Sequence, residues 1–411
     1  MNKKLEHALQ ASGKNLLQKR EILAYLLRAG NSTLNSIAKS LGLSLPTTNK
    51  IVLELYKSGW IEDCGKLEAT GGGRHPFLYG VNADSAHFLG VDFGVNTINI
   101  ALMNFAGELI ETSLEVPFRF ENTMECLQNI VAEIKTFLNR PTVDRDKIFS
   151  VEINMFGRVN PETGYSYSYF NFFNEPLTNY FKEQIGIETY IDNDSRACAY
   201  GEYITHYAPT ESNMLFVNAA WGLGLGVIVN GKPYNGKSGF AGEFGHIHAY
   251  DNEIICRCGK KGCLETEASG SAIHRKFINR IQNGSSSILL AEKNYNSETI
   301  ENVSLEEILE ATIKEDILCI EILEEIGQEL GKHISGLINL FNPNVVVLGG
   351  LLCKTGDYII QPLRTAIRKY SLNMVNQDTT LRNSQLGDMA GVVGACMLAR
   401  HKIFTERKED K

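Results

Sequence analysis

Near the N-terminus the apolar residues recur at helical spacing. The run Arg20–Arg28 carries Ile22, Leu23, Leu26 and Leu27 and stops at Gly30. Ser32-Thr33 caps a second predicted helix with apolar positions Leu34, Ile37, Ala38 and Leu41, ended by Gly42. Ser44 caps a third, with Pro46 in its first turn, Ile51, Val52, Leu55 and Tyr56 inward, and Gly59 as its stop. Two strand-like runs follow, Trp60-Ile61-Glu62 and Phe77-Leu78-Tyr79, around Gly71-Gly72-Gly73-Arg74-His75-Pro76. Two short helices joined by a glycine turn form a helix-turn-helix whose second helix enters the major groove. Its outward residues Pro46, Thr47, Thr48, Asn49 and Lys50 suit phosphates and base edges, and Arg74 stands at the tip of a wing. The competing reading of this segment is a helical protein-interaction module with a solvated basic face.

From Phe88 the pattern changes to strand pairs separated by glycines. Phe88–Gly94 turns into Thr97–Met103, and the same plan recurs at Leu215–Asn218, Gly222-Leu223-Gly224-Leu225-Gly226 and Val227–Val229. Two strand–glycine turn–strand units predict an internally duplicated α/β body. Such turns are candidate phosphate loops, here Asp92 and Gly94 in the first copy and Gly222 and Gly224 in the second. Residues 1–83 are expected to form the winged helix, 84–400 the body, and 401–411 a charged tail.

A chain of 411 residues exceeds one ordinary core, and 43% hydrophobic with 21% charged residues fits a folded globular protein. No apolar run reaches membrane-spanning length, and the start Met1-Asn2-Lys3-Lys4 lacks a secretory pattern, so the cytoplasm is the expected compartment. The net charge of −8 argues against nucleic acid until it is divided. Residues 1–80 hold 11 Lys/Arg against 6 Asp/Glu, a net of +5, which leaves −13 on the other 331. A basic module precedes an acidic body.

Six of the nine cysteines are scattered: Cys64, Cys126, Cys198, Cys319, Cys353 and Cys396. The other three lie in Cys256-Arg257-Cys258-Gly259-Lys260-Lys261-Gly262-Cys263, with His246 ten residues before Cys256. Three thiolates and one imidazole match the tetrahedral preference of Zn2+, and four protein ligands leave no open position, so the zinc is structural. Arg257, Lys260 and Lys261 favour the thiolates by charge. His248 is the rival imidazole.

Further motifs complete the pattern: Tyr190-Ile191-Asp192-Asn193-Asp194, Glu243-Phe244-Gly245-His246, Gly262-Cys263-Leu264-Glu265 and Phe341–Gly350. In this order, behind a winged helix, they resemble the ROK family of repressors, open reading frames and sugar kinases, over nearly the whole chain. The resemblance implies an actin-like (ribonuclease H-like) ATPase fold of two lobes, with a zinc loop at 246–263. It also implies that Asn193, Asp194, Glu243, His246 and Glu265 contact a sugar, with Asn171 as a further hydroxyl contact. In the family's kinases the aspartate matching Asp194 is the general base.

The phosphate loops depart from the kinase pattern. Where the kinases read Asp-x-Gly-Gly-Thr, this chain reads Asp92-Phe93-Gly94-Val95-Asn96, and Gly-Thr-Gly becomes Ala220-Trp221-Gly222. A sugar half kept beside an altered ATP half predicts a sensor: a sugar-responsive repressor on operator DNA, as a homodimer or homotetramer, whose effector is a sugar or sugar phosphate. The alternatives are an ATP-dependent sugar kinase with an appended DNA-binding domain, and a zinc-stabilised protein scaffold.

Overall fold

The computed structural model describes residues 13–67, 75–208, 210–293, 295–296 and 299–404. The chain divides into two compact units, Met1–Asp192 with Ala395–Lys411, and Asn193–Gly394.

The first unit opens with helices α1 (Lys14–Ala29), α2 (Leu34–Leu41) and α3 (Leu45–Lys57). Their ends follow the sequence signals. Thr33 caps α2 by accepting the Ser36 N–H, left-handed Gly42 ends it, and Ser44 caps α3 by accepting the Thr47 N–H. Strands β1 (Ser32–Thr33), β2 (Ile61–Lys66) and β3 (Phe77–Val81) pair in the order β1-β3-β2. This is a winged helix. Ile22, Leu23, Leu26, Ile37, Ile51, Val52 and Leu55 form its interior. Tyr56, expected inside, is 48% exposed, because the buried stripe of α3 runs through Thr48, Ile51, Val52 and Leu55 instead.

Trp60 does not join the wing strand; its ring is fully buried and meets the Phe105 ring edge-on at 5.0 Å. Phe105 belongs to the following lobe, whose strands are β4 (His87–Phe93), β5 (Thr97–Asn104), β6 (Leu109–Pro117), β7 (Ile148–Met155) and β10 (Thr189–Asn193). The hairpin β8 (Val159–Asn160) and β9 (Tyr165–Ser166), with helices α4 (Met124–Leu138) and α5 (Leu177–Ile185), completes the lobe. Its sheet order is β10-β7-β4-β5-β6, antiparallel along β4-β5-β6 and parallel between β4 and β7. Every residue of β4 is buried, as a central strand covered on both faces requires.

The second unit begins with α6 (Asp194–Glu202) and then repeats the plan with β11 (Met214–Ala219), β12 (Leu223–Val229) and β13 (Lys232–Pro233). Helices α7 (Gly270–Gln282), α8 (Ile288–Glu292), α9 (Leu305–Ile313) and α10 (Ile317–Phe341) lead to β14 (Val345–Gly349). Helices α11 (Asp357–Tyr370) and α12 (Asn373–Asp378), strand β15 (Thr380–Asn383) and α13 (Ala390–His401) follow, and α13 belongs to the first unit from Ala395 on. The order β13-β12-β11-β14-β15 matches β6-β5-β4-β7-β10 strand for strand, so the duplication read from the glycine turns is real.

Candidate functional site

The cysteine loop is built by short backbone bonds. The Cys256 N–H donates to Lys260 O, the Gly259 N–H to Cys256 O, and the Ala249 and Tyr250 N–H groups both to Gly262 O. Gly262 is required here: its φ is +72°, and a Cβ would lie 1.9 Å from Tyr250 O. Side chains anchor the loop to the rest of the unit. The Tyr250 hydroxyl donates to Glu329 on α10 at 2.6 Å, and the Asn252 amide donates to Glu267 at 3.1 Å.

This scaffold gathers His246, Cys256, Cys258 and Cys263, whose donor atoms lie within 4.8 Å of one another. His246 Nδ1 is 3.4 Å from Cys256 Sγ, and Cys258 Sγ is 3.6 Å from Cys263 Sγ. A tetrahedral Zn2+ with thiolate and imidazole ligands spaces its donors by about 3.5–3.8 Å. Burial pushes the Cys256 thiol up to about 12, so a cation beside it is what would hold it as a thiolate. The cluster can hold a metal ion. His248 lies outside it, with its side chain 68% exposed. Lys261, read as a partner of the thiolates, instead pairs with Glu253.

Two carboxylates lean on this cluster. His246 Nε2 lies 3.8 Å from Glu243, while its Nδ1 faces Cys256 Sγ. Glu265 is 8% exposed; Cys256 Sγ approaches one of its oxygens at 3.5 Å, and the other accepts the Leu223 N–H at 3.0 Å. The second glycine turn is therefore bonded to the metal loop. Trp221, in that turn, places its indole 5.3 Å from the His274 ring.

Asn193 and Asp194 open α6. The Asn193 side chain caps the helix by accepting the Arg196 N–H, and its amide donates to Asp194 at 2.8 Å. Burial raises the Asp194 carboxyl to about 6, against the opposing pull of its bonds to the Ser195 N–H and Asn193. Gly224, expected in a phosphate loop, lies within β12, where a Cβ would meet Ser195 Oγ at 2.1 Å. Its neighbour Gly226 would meet Ala199 at 2.3 Å. These glycines let α6 lie close on β12. Gly222 remains in the turn, where a Cβ would approach Glu265 at 2.7 Å.

In the first unit Asp92 is buried and accepts from the Asn154 amide at 2.7 Å, and Gly94 makes the tight turn with its N–H on Thr97 O. Asn171 is exposed between Phe170 and Phe172. Phe170 has φ +54°, an outlier for a bulky residue, and its N–H is held by the Asn122 side chain at 2.5 Å. A cluster of rings behind it reaches Phe93, beside Asp92.

On α3, Pro46, Asn49 and Lys50 are exposed and Thr47 is half-buried. Thr48 is fully buried with its hydroxyl donating to Ser44 O, so it faces the interior and not a ligand. Arg74 lies outside the described residues.

A winged helix joined to a duplicated body with a cysteine-histidine cluster able to hold a metal defines a DNA-binding regulator built on a sugar-kinase scaffold. The ROK family model matches residues 88–402 and a winged helix-turn-helix DNA-binding model matches 17–62; the chain belongs to the ROK family. It is 28% identical to the xylose repressor of Caldicellulosiruptor bescii, covering 87% of this chain and 89% of that one. To the DNA-binding transcriptional dual regulator NagC of Escherichia coli it is 26% identical over 90% of this chain and 88% of that protein. The solved ROK transcriptional regulator described as a homologue of E. coli MLC superposes with a TM-score of 0.80 at 26% identity, covering 95% and 97% of the two chains. A ROK glucokinase from Streptomyces griseus, solved with glucose and AMPPNP, matches at 0.65 and 25% identity over 77% of this chain and 100% of its own. Among the described residues no helix is long and apolar enough to cross a membrane.

Proposed function

We infer that this protein is a sugar-responsive transcriptional repressor. One observation carries the reading: the winged helix is fused to a ROK body, and Trp221 occupies the second glycine turn where a kinase keeps a small hydroxyl. The relatives named as xylose repressor and NagC match over 87% and 90% of this chain, a span that takes in both parts.

In this reading Glu243, His246 and Glu265 face the hydroxyls of a sugar, with Asn193, Asp194 and Asn171 adding amide and carboxylate contacts. Carboxylates and amides are suited to neighbouring hydroxyl pairs because each offers two directed polar atoms. His246, Cys256, Cys258 and Cys263 hold a structural Zn2+, which contributes folding energy to the loop. Pro46, Thr47, Asn49, Lys50 and Arg74 contact operator DNA. Two copies of the chain in a symmetric dimer, or four in a tetramer built of two such dimers, present paired winged helices to the half-sites, since half-site spacing mirrors protein symmetry. The effector acts by binding one conformational state better than the other.

The kinase alternative keeps one favourable observation, a carboxyl at Asp194 raised to about 6 and so suited to proton abstraction near neutrality. A single experiment separates the two. Fluorescence anisotropy with the gene's own upstream DNA is measured alone and with glucose, N-acetylglucosamine, xylose and their phosphates, alongside a coupled ATP assay. Operator binding that one of these compounds shifts, without ATP turnover, is the expected result. Turnover at ordinary kinase rates with no DNA binding overturns it.

A further inference from the structure

The groove-facing surface of α3 is more apolar than its role requires. Leu45 is 47% exposed and Leu53 is 40% exposed, although four other positions of the helix fill the module's interior. With exposed Asn49 they occupy positions i, i+4 and i+8, which on an α-helix form one continuous ridge. Water gains nothing from two leucines on this surface, whereas the major groove offers an apolar partner. Each A·T pair presents the thymine C5-methyl there, beside the adenine N6 and N7 that an asparagine amide bonds in bidentate fashion. The ridge is thus ordered apolar, amide, apolar. Eight residues of helix span about 12 Å, which corresponds to roughly three to four base-pair steps.

We propose that Leu45 and Leu53 are specificity-determining residues that read thymine methyl groups on either side of an adenine bound by Asn49. Each half-site then carries a run of A·T pairs where α3 crosses the major groove. The proposal rests on α3 being the helix that enters the groove. It deepens that reading by naming the bases. The ridge is continuous with the exposed cation of Lys50 on the same helix, which favours the anionic duplex over a second protein chain as its occupant.

The test uses the full-length protein and a duplex obtained by in vitro selection from a random library. Thymines in the enriched run are replaced by deoxyuridine, which removes the methyl group and keeps the base pairing. Loss of one buried methyl weakens binding about fourfold. The expected result is this loss for the unaltered protein and its absence at one position in Leu45→Ala and at another in Leu53→Ala. Enrichment of G·C pairs or of no sequence, equal affinity for thymine and deoxyuridine duplexes, or the same loss in the alanine variants overturns the proposal. So does a Leu→Ala variant whose only change is in oligomeric state, which assigns the ridge to a second copy. Asn49→Ala with Lys50→Ala checks the underlying reading: if that pair leaves DNA affinity intact, α3 is not in the groove at all.

Discussion

Glu265 Oε2 accepts the backbone N–H of Leu223 at 3.0 Å, and through this bond a carboxylate two residues after Cys263, the last cysteine of the loop, holds the second glycine turn. The bond is buried and charge-assisted. Removing its acceptor strands a buried N–H, which costs about 1–3 kcal/mol. Glu265→Ala is expected to lower stability by this amount in urea titration and to change the emission of Trp221, two residues before Leu223. Unchanged emission in a Trp60→Phe background, where Trp221 is the sole tryptophan, would disconnect the turn from Glu265.

The metal cluster gives a second expectation. Cys258→Ser removes one of four donors gathered within 4.8 Å. The variant should purify with less than one zinc per chain by elemental analysis, and its operator binding should no longer respond to the effector. A variant that keeps full zinc content would remove Cys258 from the ligand set. Full effector response after complete chelation would detach the metal from the sugar site.

Asp194 sets a pH dependence. Its carboxyl is raised from the ordinary value of 3.8 to about 6, so the folded state binds its proton more tightly than the unfolded chain does. The stabilisation is complete below pH ~4 and is lost as pH rises through about 6. Above that window the ionised, half-buried group weighs against the fold by about 1–3 kcal/mol. Asp194→Asn should accordingly melt higher than the unaltered protein at pH 7.5, with a smaller difference at pH 5. A difference that is constant across this range would show that the carboxyl does not titrate there.

Trp60 against Phe105 is a buried edge-on aromatic contact between the winged helix and the lobe that follows it. Truncating a buried aromatic ring costs about 3–5 kcal/mol. Phe105→Ala should destabilise the protein by that order and raise amide exchange in α3 and β2. If β4 and β5 lose protection while the winged helix keeps it, the ring supports only its own lobe.

Much of this protein is legible in one dimension because its signals are local. The caps Thr33 and Ser44, the stop at Gly42 and the cysteine spacing each act over a few residues, and each appears where the chain announces it. The duplication could be read because both copies carry a strand–glycine–strand unit, although the matching strand orders emerge only from long-range pairs such as His87 with Ile148 and Met214 with Val345. Thr48 was legible too: positions 48, 51, 52 and 55 form one helical stripe, which a hydroxyl obscures when apolar residues alone are counted. Other features had no local trace. Gly224 and Gly226 look like a phosphate loop until α6 is seen lying against them, and Trp60 looks like the start of a strand until Phe105 meets its ring. A side chain's period along the chain tells which way it faces within its own element. What it meets there is decided by elements distant in sequence, because packing and hydrogen bonding depend on proximity in space. The sequence alone therefore determined the modules, the cysteine–histidine cluster and the carboxylates beside it; the tertiary structure decided that Glu265 would bind the second glycine turn.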